Sequence, residues 1–143
     1  MIQKIVKAKL LAAALFLGAF TACTETSQLE EIELPVPIEE TAGFPRVPVN
    51  QDTTLTLRVL YRPDNGCGRF SRADSTAAPL QTHLRLFAAY PVEDQQAVCT
   101  DISKLVTFTF RFKATTVGVH KFRFWQADNT YLVDSVVVQE RKK

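Results

Sequence analysis

Apolar and polar residues alternate along much of the chain after residue 50, with the period of two that is typical of half-buried β-strands. The alternation is clearest in residues 53–62 and 105–113. The apolar positions of these two segments are Leu55, Leu57, Val59, Tyr61, Val106, Phe108, Phe110 and Phe112. Thr, Arg and Lys residues occupy the positions between most of them. Each segment is therefore predicted to form a strand with one face in a core and the other face in solvent.

The same pattern predicts further strands, at residues 84–90, 118–126 and 130–138, within 68–74 and near 47–49. In the segment 118–126, one face carries His120, Phe122 and Phe124, and the other carries Val119, Lys121, Arg123 and Trp125. Trp125 is then either buried by a second layer or displayed for stacking on a ligand. We expect an all-β fold, an antiparallel sandwich of about six to eight strands.

A short motif in the segment 118–126 refines this expectation. Gly118, His120 and Phe122 occupy the three defining places of the Gly-x-Tyr-x-Cys pattern found in the penultimate strand of immunoglobulin-like domains. The chain resembles such domains over about residues 50–139, which implies an immunoglobulin-like β-sandwich. His and Phe stand where the pattern has Tyr and Cys, so the resemblance implies neither the corner hydrogen bond nor the usual disulfide between the sheets. We place the domain at residues 51–143.

The first 23 residues have the layout of an export leader. Three Lys residues within residues 1–9 precede an apolar run over residues 10–20, which is too short to span a bilayer. The run ends in Phe-Thr-Ala followed by Cys23, which resembles the lipobox of bacterial lipoproteins. The resemblance implies a signal peptide over residues 1–22 and acylation of Cys23, so that lipid anchors the mature chain to a membrane. The alternative is an ordinary secretory signal that is cleaved after Ala22.

Residues 23–50 differ from the rest of the chain in charge and composition. They hold six Glu and four Pro residues against one Arg, which predicts an extended, flexible tether between the lipid anchor and the domain. Thr24 follows the cysteine where an Asp would indicate inner-membrane retention, so the lipoprotein resemblance favours the outer membrane. The acidic stretch resembles surface-export signals, and it would equally serve to keep a linker soluble. The chain as a whole resembles uncharacterised lipoproteins of the cell envelope.

Besides Cys23 the chain has two cysteines, Cys67 and Cys99. Disulfides persist in exported proteins, so we expect these two residues to be joined. The alternative, a reactive or metal-binding thiol pair, needs more ligands than this chain readily offers.

The sequence contains few of the residues and motifs that are typical of catalytic sites. It contains no Gly-x-Ser-x-Gly, no phosphate-binding glycine loop, no His-Glu-x-x-His and no Cys-x-x-Cys motif, and its only histidines are His83 and His120. The carboxylates Glu93, Asp94 and Asp101 are predicted to lie in a solvated loop. We therefore expect no enzyme activity, no cofactor and no metal site. Nucleic acid is not an expected partner, because the aromatic residues follow the core faces instead of alternating with the basic ones.

Two functions agree with these features. The first is a lipid-anchored envelope module that docks to another protein by an edge strand or a loop. The second is a lipoprotein that captures a glycan or another anionic solute, with Trp125 and Arg123 as the candidate ligand-binding residues. Basic residues on strands would support the second function if neighbouring strands gathered them on one face. These residues are Arg58, Arg62, Arg111, Lys113, Lys121 and Arg123.

Overall fold

The computed structural model describes residues 30–92 and 98–142, and these residues form nine β-strands. In chain order the strands are β1 (Glu31–Val36), β2 (Ile38–Ala42), β3 (Val49–Asn50), β4 (Thr54–Tyr61), β5 (Arg69–Ala78), β6 (Gln81–Pro91), β7 (Val106–Lys113), β8 (Gly118–Ala127) and β9 (Thr130–Gln139). Within these ranges, no helix is long and apolar enough to cross a membrane.

The strands form two sheets, one of six strands and one of three. In the large sheet, β5 pairs with one edge of β6, while β1 and β8 share the other edge of β6. Strand β9 follows β8, and β3 completes this sheet beyond β9. In the small sheet, β4 lies between β2 and β7. The core lies between the two sheets and contains the inward residues of β4, β6, β8 and β9.

The predicted all-β sandwich is confirmed, and the alternating segments form strands where the pattern placed them. Two pairings, β3 with β9 and β6 with β8, are parallel, whereas the prediction was for an antiparallel sandwich. The β6–β8 pairing is parallel because β7, the strand between them in sequence, lies in the opposite sheet and returns the chain to the same end. The described residues have more strands than expected because β1 and β2 come from the segment assigned to the tether.

The tether prediction was wrong over residues 31–50, which the structure places in the sandwich. The prediction relied on the high content of Glu and Pro and overlooked a pattern of period two. Ile32, Leu34, Val36 and Ile38 alternate with Glu or Pro residues. Val36 and Ile38 are fully buried, so the segment contributes directly to the core. Two of the four prolines explain how the segment can form strands. Pro35 lies in β1, which among the described strands pairs only with β6, and Pro37 lies between β1 and β2, where the chain passes from one sheet to the other. The rest of the predicted tether, residues 23–29, and the predicted signal peptide lie outside the described residues.

A buried carboxylate fastens this N-terminal segment to the large sheet. The hydroxyl of Thr41 donates a hydrogen bond of 2.7 Å to Oδ2 of Asp134 in β9, and Arg46 forms an ion pair of 3.3 Å with Oδ1. The N–H of Ser135 donates to the same Oδ1 over 2.8 Å. These three partners compensate for the loss of water around a charged group that is only 9% exposed. Asp134 therefore holds the segment 41–46 against β9.

The loop after β4 and the loop before β7 are joined by the predicted disulfide. The Cα atoms of Cys67 and Cys99 are 5.3 Å apart, and their sulfur atoms are at bonding distance. The N–H of Gly66 donates to the carbonyl of Thr100 over 2.8 Å, so the two loops also share a backbone hydrogen bond. A side chain at Gly66 would collide with the hydroxyl of Thr100, and the loops can approach this closely because the residue is glycine.

Loss of the disulfide is expected to lower the free energy of unfolding by about 3–4 kcal/mol, the loop-entropy value for cysteines this far apart in sequence. The bond joins residues 32 positions apart, so the reduced chain gains conformational freedom when it unfolds. Urea unfolding with and without reductant measures the change. The control is the double variant that carries both Cys67→Ser and Cys99→Ser, since reductant should not alter its urea midpoint. Equal midpoints for the oxidised and reduced natural chain would contradict the prediction.

Candidate functional site

The structure brings the two sequence-predicted ligand residues together on the outer face of the large sheet. Phe122 and Phe124 of β8 point into the core and are no more than 1% exposed. By the alternation of a strand, Arg123 and Trp125 then point to the opposite side. Both residues are partly buried. Within the described residues, Trp125 is partly covered by neighbouring side chains and partly exposed, so it matches neither of the two alternatives in full.

Side chains from the strands on either side of β8 complete a cluster. The guanidinium carbon of Arg85, from β6, lies 4.4 Å from the centre of the Trp125 ring. The guanidinium carbon of Arg123 lies 4.3 Å from the centre of the Tyr131 ring of β9. His83, also from β6, meets Tyr131 edge to face at 5.8 Å. These distances are within the range of cation–π and aromatic attraction, so the five side chains support one another. We call them the outer-face cluster.

The two arginines of the outer-face cluster have unused hydrogen-bonding capacity. Neither forms an ion pair with a described carboxylate, and the Nε atom of each is buried without a hydrogen-bond partner. Asp74 lies opposite Arg85 on the neighbouring strand, but it forms its ion pair with Arg72. Arg72 is also paired with Glu33 at 3.0 Å, so its charge is compensated on both sides. The cluster therefore presents two guanidinium groups that no carboxylate of the described residues compensates.

A depression of about 220 Å³ lies over four of the five side chains of the cluster and is lined by Asp74, Thr76, His83, Leu84, Arg85, Trp125 and Tyr131, whereas Arg123 is outside this lining. A depression of this size has room for a group such as one sugar ring or one phosphate ester. A guanidinium can donate two parallel hydrogen bonds to a carboxylate or phosphate, and a flat aromatic ring beside it offers apolar contact. The depression can therefore hold an anionic group next to a ring.

Sequence reasoning missed Arg85 and Tyr131. The alternation in β6 indicates that Arg85 lies opposite the buried Leu84 and Leu86, but only the parallel pairing of β6 with β8 brings it onto Trp125. The basic strand residues are not gathered on one face, which was the arrangement that would have supported ligand binding by them. Arg58, Arg111 and Lys113 lie on exposed positions of the small sheet, while Arg123 lies on the large sheet.

A second feature lies inside the sandwich, where His120 is buried on the inner face of β8. Its Nε2 is 2.9 Å from the hydroxyl oxygen of Thr82, and its ring lies 4.6 Å from the Phe112 ring and 4.8 Å from the Phe122 ring. Burial lowers the pKa of His120 below its ordinary value of 6.5, because the charged imidazolium loses its water without gaining a carboxylate partner.

The lowered pKa of His120 predicts a loss of stability on mild acidification. The unfolded chain takes up the proton at a higher pH than the folded chain, so the His120 contribution is complete above about pH 6.5 and declines as the pH falls below it. Urea midpoints between pH 7.5 and 5.5 measure the slope. His120→Gln should flatten it, because the substituted side chain does not titrate in this range. An equal slope in the natural chain and in His120→Gln would contradict this assignment.

The other sequence-predicted positions contribute no further cluster. No group of three or more His, Cys, Asp or Glu side chains suited to a metal ion occurs among the described residues. Asp101 is exposed, whereas Glu93, Asp94 and the predicted lipidation site Cys23 lie outside the described residues. Arg62 pairs with Glu39 at 3.3 Å and donates to the carbonyl of Ser103. No model of a known protein family, no curated protein and no solved structure matches the chain.

Proposed function

We propose that the protein is a non-enzymatic, lipid-anchored lipoprotein of the cell envelope that binds an acidic glycan on the outer face of its large sheet. The observation that carries the proposal is the pair of guanidinium groups, Arg85 and Arg123, which lie on the rings of Trp125 and Tyr131 and form no ion pair with a carboxylate in the part of the chain that the structure describes. An acidic sugar supplies both a carboxylate for the guanidinium groups and a ring for the aromatic side chains.

The location in the envelope rests on the leader. The Lys-rich start, the short apolar run and the Phe-Thr-Ala-Cys23 sequence support export, cleavage before Cys23 and acylation of its sulfur and amine. More than one acyl chain gives stable attachment without a transmembrane helix. The residue after the cysteine supports the outer membrane. The glycans and phosphorylated lipids of that compartment are anionic, so a site with two uncompensated arginines suits them.

Arg85→Gln is expected to weaken binding of an acidic glycan by at least about tenfold, or ~1.4 kcal/mol, because Arg85 lines the depression and one charge-assisted contact is lost. The probe is an oligomer of galacturonic acid, compared with a neutral galactose oligomer of equal length. Trp125 is the only tryptophan of the chain, so its fluorescence reports binding at the site itself. The protein is the full chain carrying Cys23→Ala, which removes the proposed acylation.

The matched control is Arg58→Gln, which removes the same charge from an exposed position of the small sheet. It should leave the affinity unchanged. Trp125→Ala should abolish binding with folding intact, and its binding is measured by calorimetry because the variant lacks the fluorescent ring. Equal affinity for the acidic and the neutral oligomer, or no saturable binding of either, would refute the proposed function.

A second candidate function, docking to an envelope protein, is favoured by the long free edge of β5. This strand pairs with β6 along one edge, and no described strand pairs with the other edge. Such an edge can accept a strand from another protein. Crosslinking of the lipidated protein in its own envelope, followed by mass spectrometry, tests this function with Cys23→Ala as the control. A stoichiometric partner that depends on Cys23 supports it, and recovery of the protein alone counts against it.

A further inference from the structure

The two sheets are unequal, and the difference leaves a cleft in the interior. Strand β7 is the last strand of the three-stranded sheet, whereas β5 is an outer strand of the six-stranded sheet. Between them lies a cavity of about 520 Å³, which is within the usual range of roughly 300–1,000 Å³ for small-molecule sites. We call this cavity the β5–β7 cleft. It lies on the inner side of β5 and β6, whereas the outer-face cluster lies on their other side.

The two facing walls of the β5–β7 cleft are mainly apolar, and their side chains differ in size. One wall is formed by Phe108, Phe110 and Phe112 of β7, all of them only partly buried. The facing wall is formed by small residues of β5, including Ala73 and Ala77. Small side chains opposite large rings leave space that no described residue fills. Three partly exposed phenylalanines along one strand therefore form an apolar surface that a ligand can cover.

One end of the cleft is closed. Phe70, near the start of β5, stacks on Phe108 with their ring centres 5.2 Å apart, and this pair bridges the two sheets. A polypeptide strand added along the whole of β7 would have to displace this stack. A flexible hydrocarbon chain that enters from the other end, near Leu80 and Thr116, needs no such displacement. The closed end therefore favours a chain-like ligand over an added β-strand.

The charges at the cleft have one sign. Among the described residues that line it, the charged ones are Arg111 and Lys113, and both are exposed. The polar residue deepest in the cleft, His120, is already hydrogen-bonded to Thr82. Over residues 30–92 and 98–142, no carboxylate lines the cleft. An apolar interior with a cationic margin is complementary to a molecule that has a hydrocarbon chain and an anionic head.

We propose that the β5–β7 cleft binds a single-chain amphiphile with an anionic head group, such as a fatty acid. The hydrocarbon chain lies between the phenylalanine rings of β7 and the small residues of β5, and the head group lies near Arg111 and Lys113. The binding is noncovalent and buries apolar surface of Phe110 and Phe112 that is otherwise in contact with water. This site is independent of the proposed glycan site.

The test uses dodecanoate as the probe, below its micelle-forming concentration, with the full chain carrying Cys23→Ala and calorimetric detection. Ala77→Phe fills the cleft and is expected to weaken dodecanoate binding by at least about tenfold. Thr76→Phe is the matched control, because it adds the same ring on the same strand but lines the outer depression instead of the cleft. Thermal unfolding of both variants verifies that each one folds.

The head-group requirement is tested with dodecyltrimethylammonium, which has the same chain length and the opposite charge. It should bind at least about tenfold more weakly than dodecanoate. Lys113→Gln should lower the affinity for dodecanoate and leave the affinity for dodecanol unchanged. Arg85→Gln should leave dodecanoate binding intact, so failure of the glycan proposal and failure of this one are distinguishable.

Three outcomes would overturn the proposal: no saturable dodecanoate binding, equal loss of binding in Ala77→Phe and Thr76→Phe, and equal affinity for the anionic and cationic amphiphiles. The last two would assign the binding to apolar surface in general.

Discussion

A chain that begins at residue 51 is expected to be unfolded at 25 °C, whereas a chain that begins at residue 30 is expected to fold cooperatively. The shorter chain lacks Val36, Ile38 and Phe44, all of which are buried in the core. Burial of three such side chains contributes about 5–9 kcal/mol at roughly 1.5–3 kcal/mol each. A small domain has a total stability of only about 5–15 kcal/mol, so this loss is comparable to the whole.

The same truncation removes both side chains that bind the carboxylate of Asp134, Thr41 and Arg46. An uncompensated buried charge adds to the cost. Circular dichroism and urea unfolding of the two chains measure the difference. The matched control is Asp134→Asn in the chain that begins at residue 30, which removes the charge but keeps the strands and should weaken the fold without abolishing it. A cooperative transition at the same urea concentration for both chains would contradict this expectation and would support the domain boundary at residue 51 that the sequence predicted.

Phe122→Ala is expected to lower the free energy of unfolding by about 3–5 kcal/mol, the usual cost of removing a fully buried phenylalanine. Its ring is 1% exposed. It meets Phe44 edge to face at 5.4 Å and Phe112 at 5.0 Å, so it contacts both the N-terminal segment and the small sheet. Because these neighbours belong to different strands, they cannot close the space left by the missing ring without moving the strands apart.

The control for this variant is Val119→Ala, on the opposite face of the same strand. Val119 is 48% exposed, so its truncation should change the free energy of unfolding by less than about 0.5 kcal/mol. Urea unfolding of both variants gives the two values on one scale. A similar, small change in the two would mean that β8 does not have one buried and one solvent face.

The strands after residue 50 follow from local sequence, and the disulfide follows from the small number of cysteines. A period of two depends only on neighbouring residues, which explains why the faces of β4, β7 and β8 agree with the alternation. The cysteine pair could be predicted because the chain offers only two partners once Cys23 is assigned to lipid. Composition predicted this part of the fold less well than periodicity does. The Glu and Pro content of residues 31–50 indicated a tether, whereas the alternation of Ile32, Leu34, Val36 and Ile38 indicates strands.

The candidate sites depend on which strands become neighbours. Arg123 and Trp125 were identified from the sequence as residues of one strand face, but Arg85 reaches Trp125 only because β6 and β8 pair in parallel. The β5–β7 cleft exists because one sheet has six strands and the other has three.

The sequence by itself therefore determined the strands that follow residue 47, their buried faces and the cysteine pair, because each of these follows from residues close together in the chain or from a choice among few partners. Only the tertiary structure decided the order of the strands, the incorporation of residues 31–50 and the two sites. Strand order results from long-range competition among many similar apolar faces, and period-two patterning describes which face is buried without specifying which strand covers it.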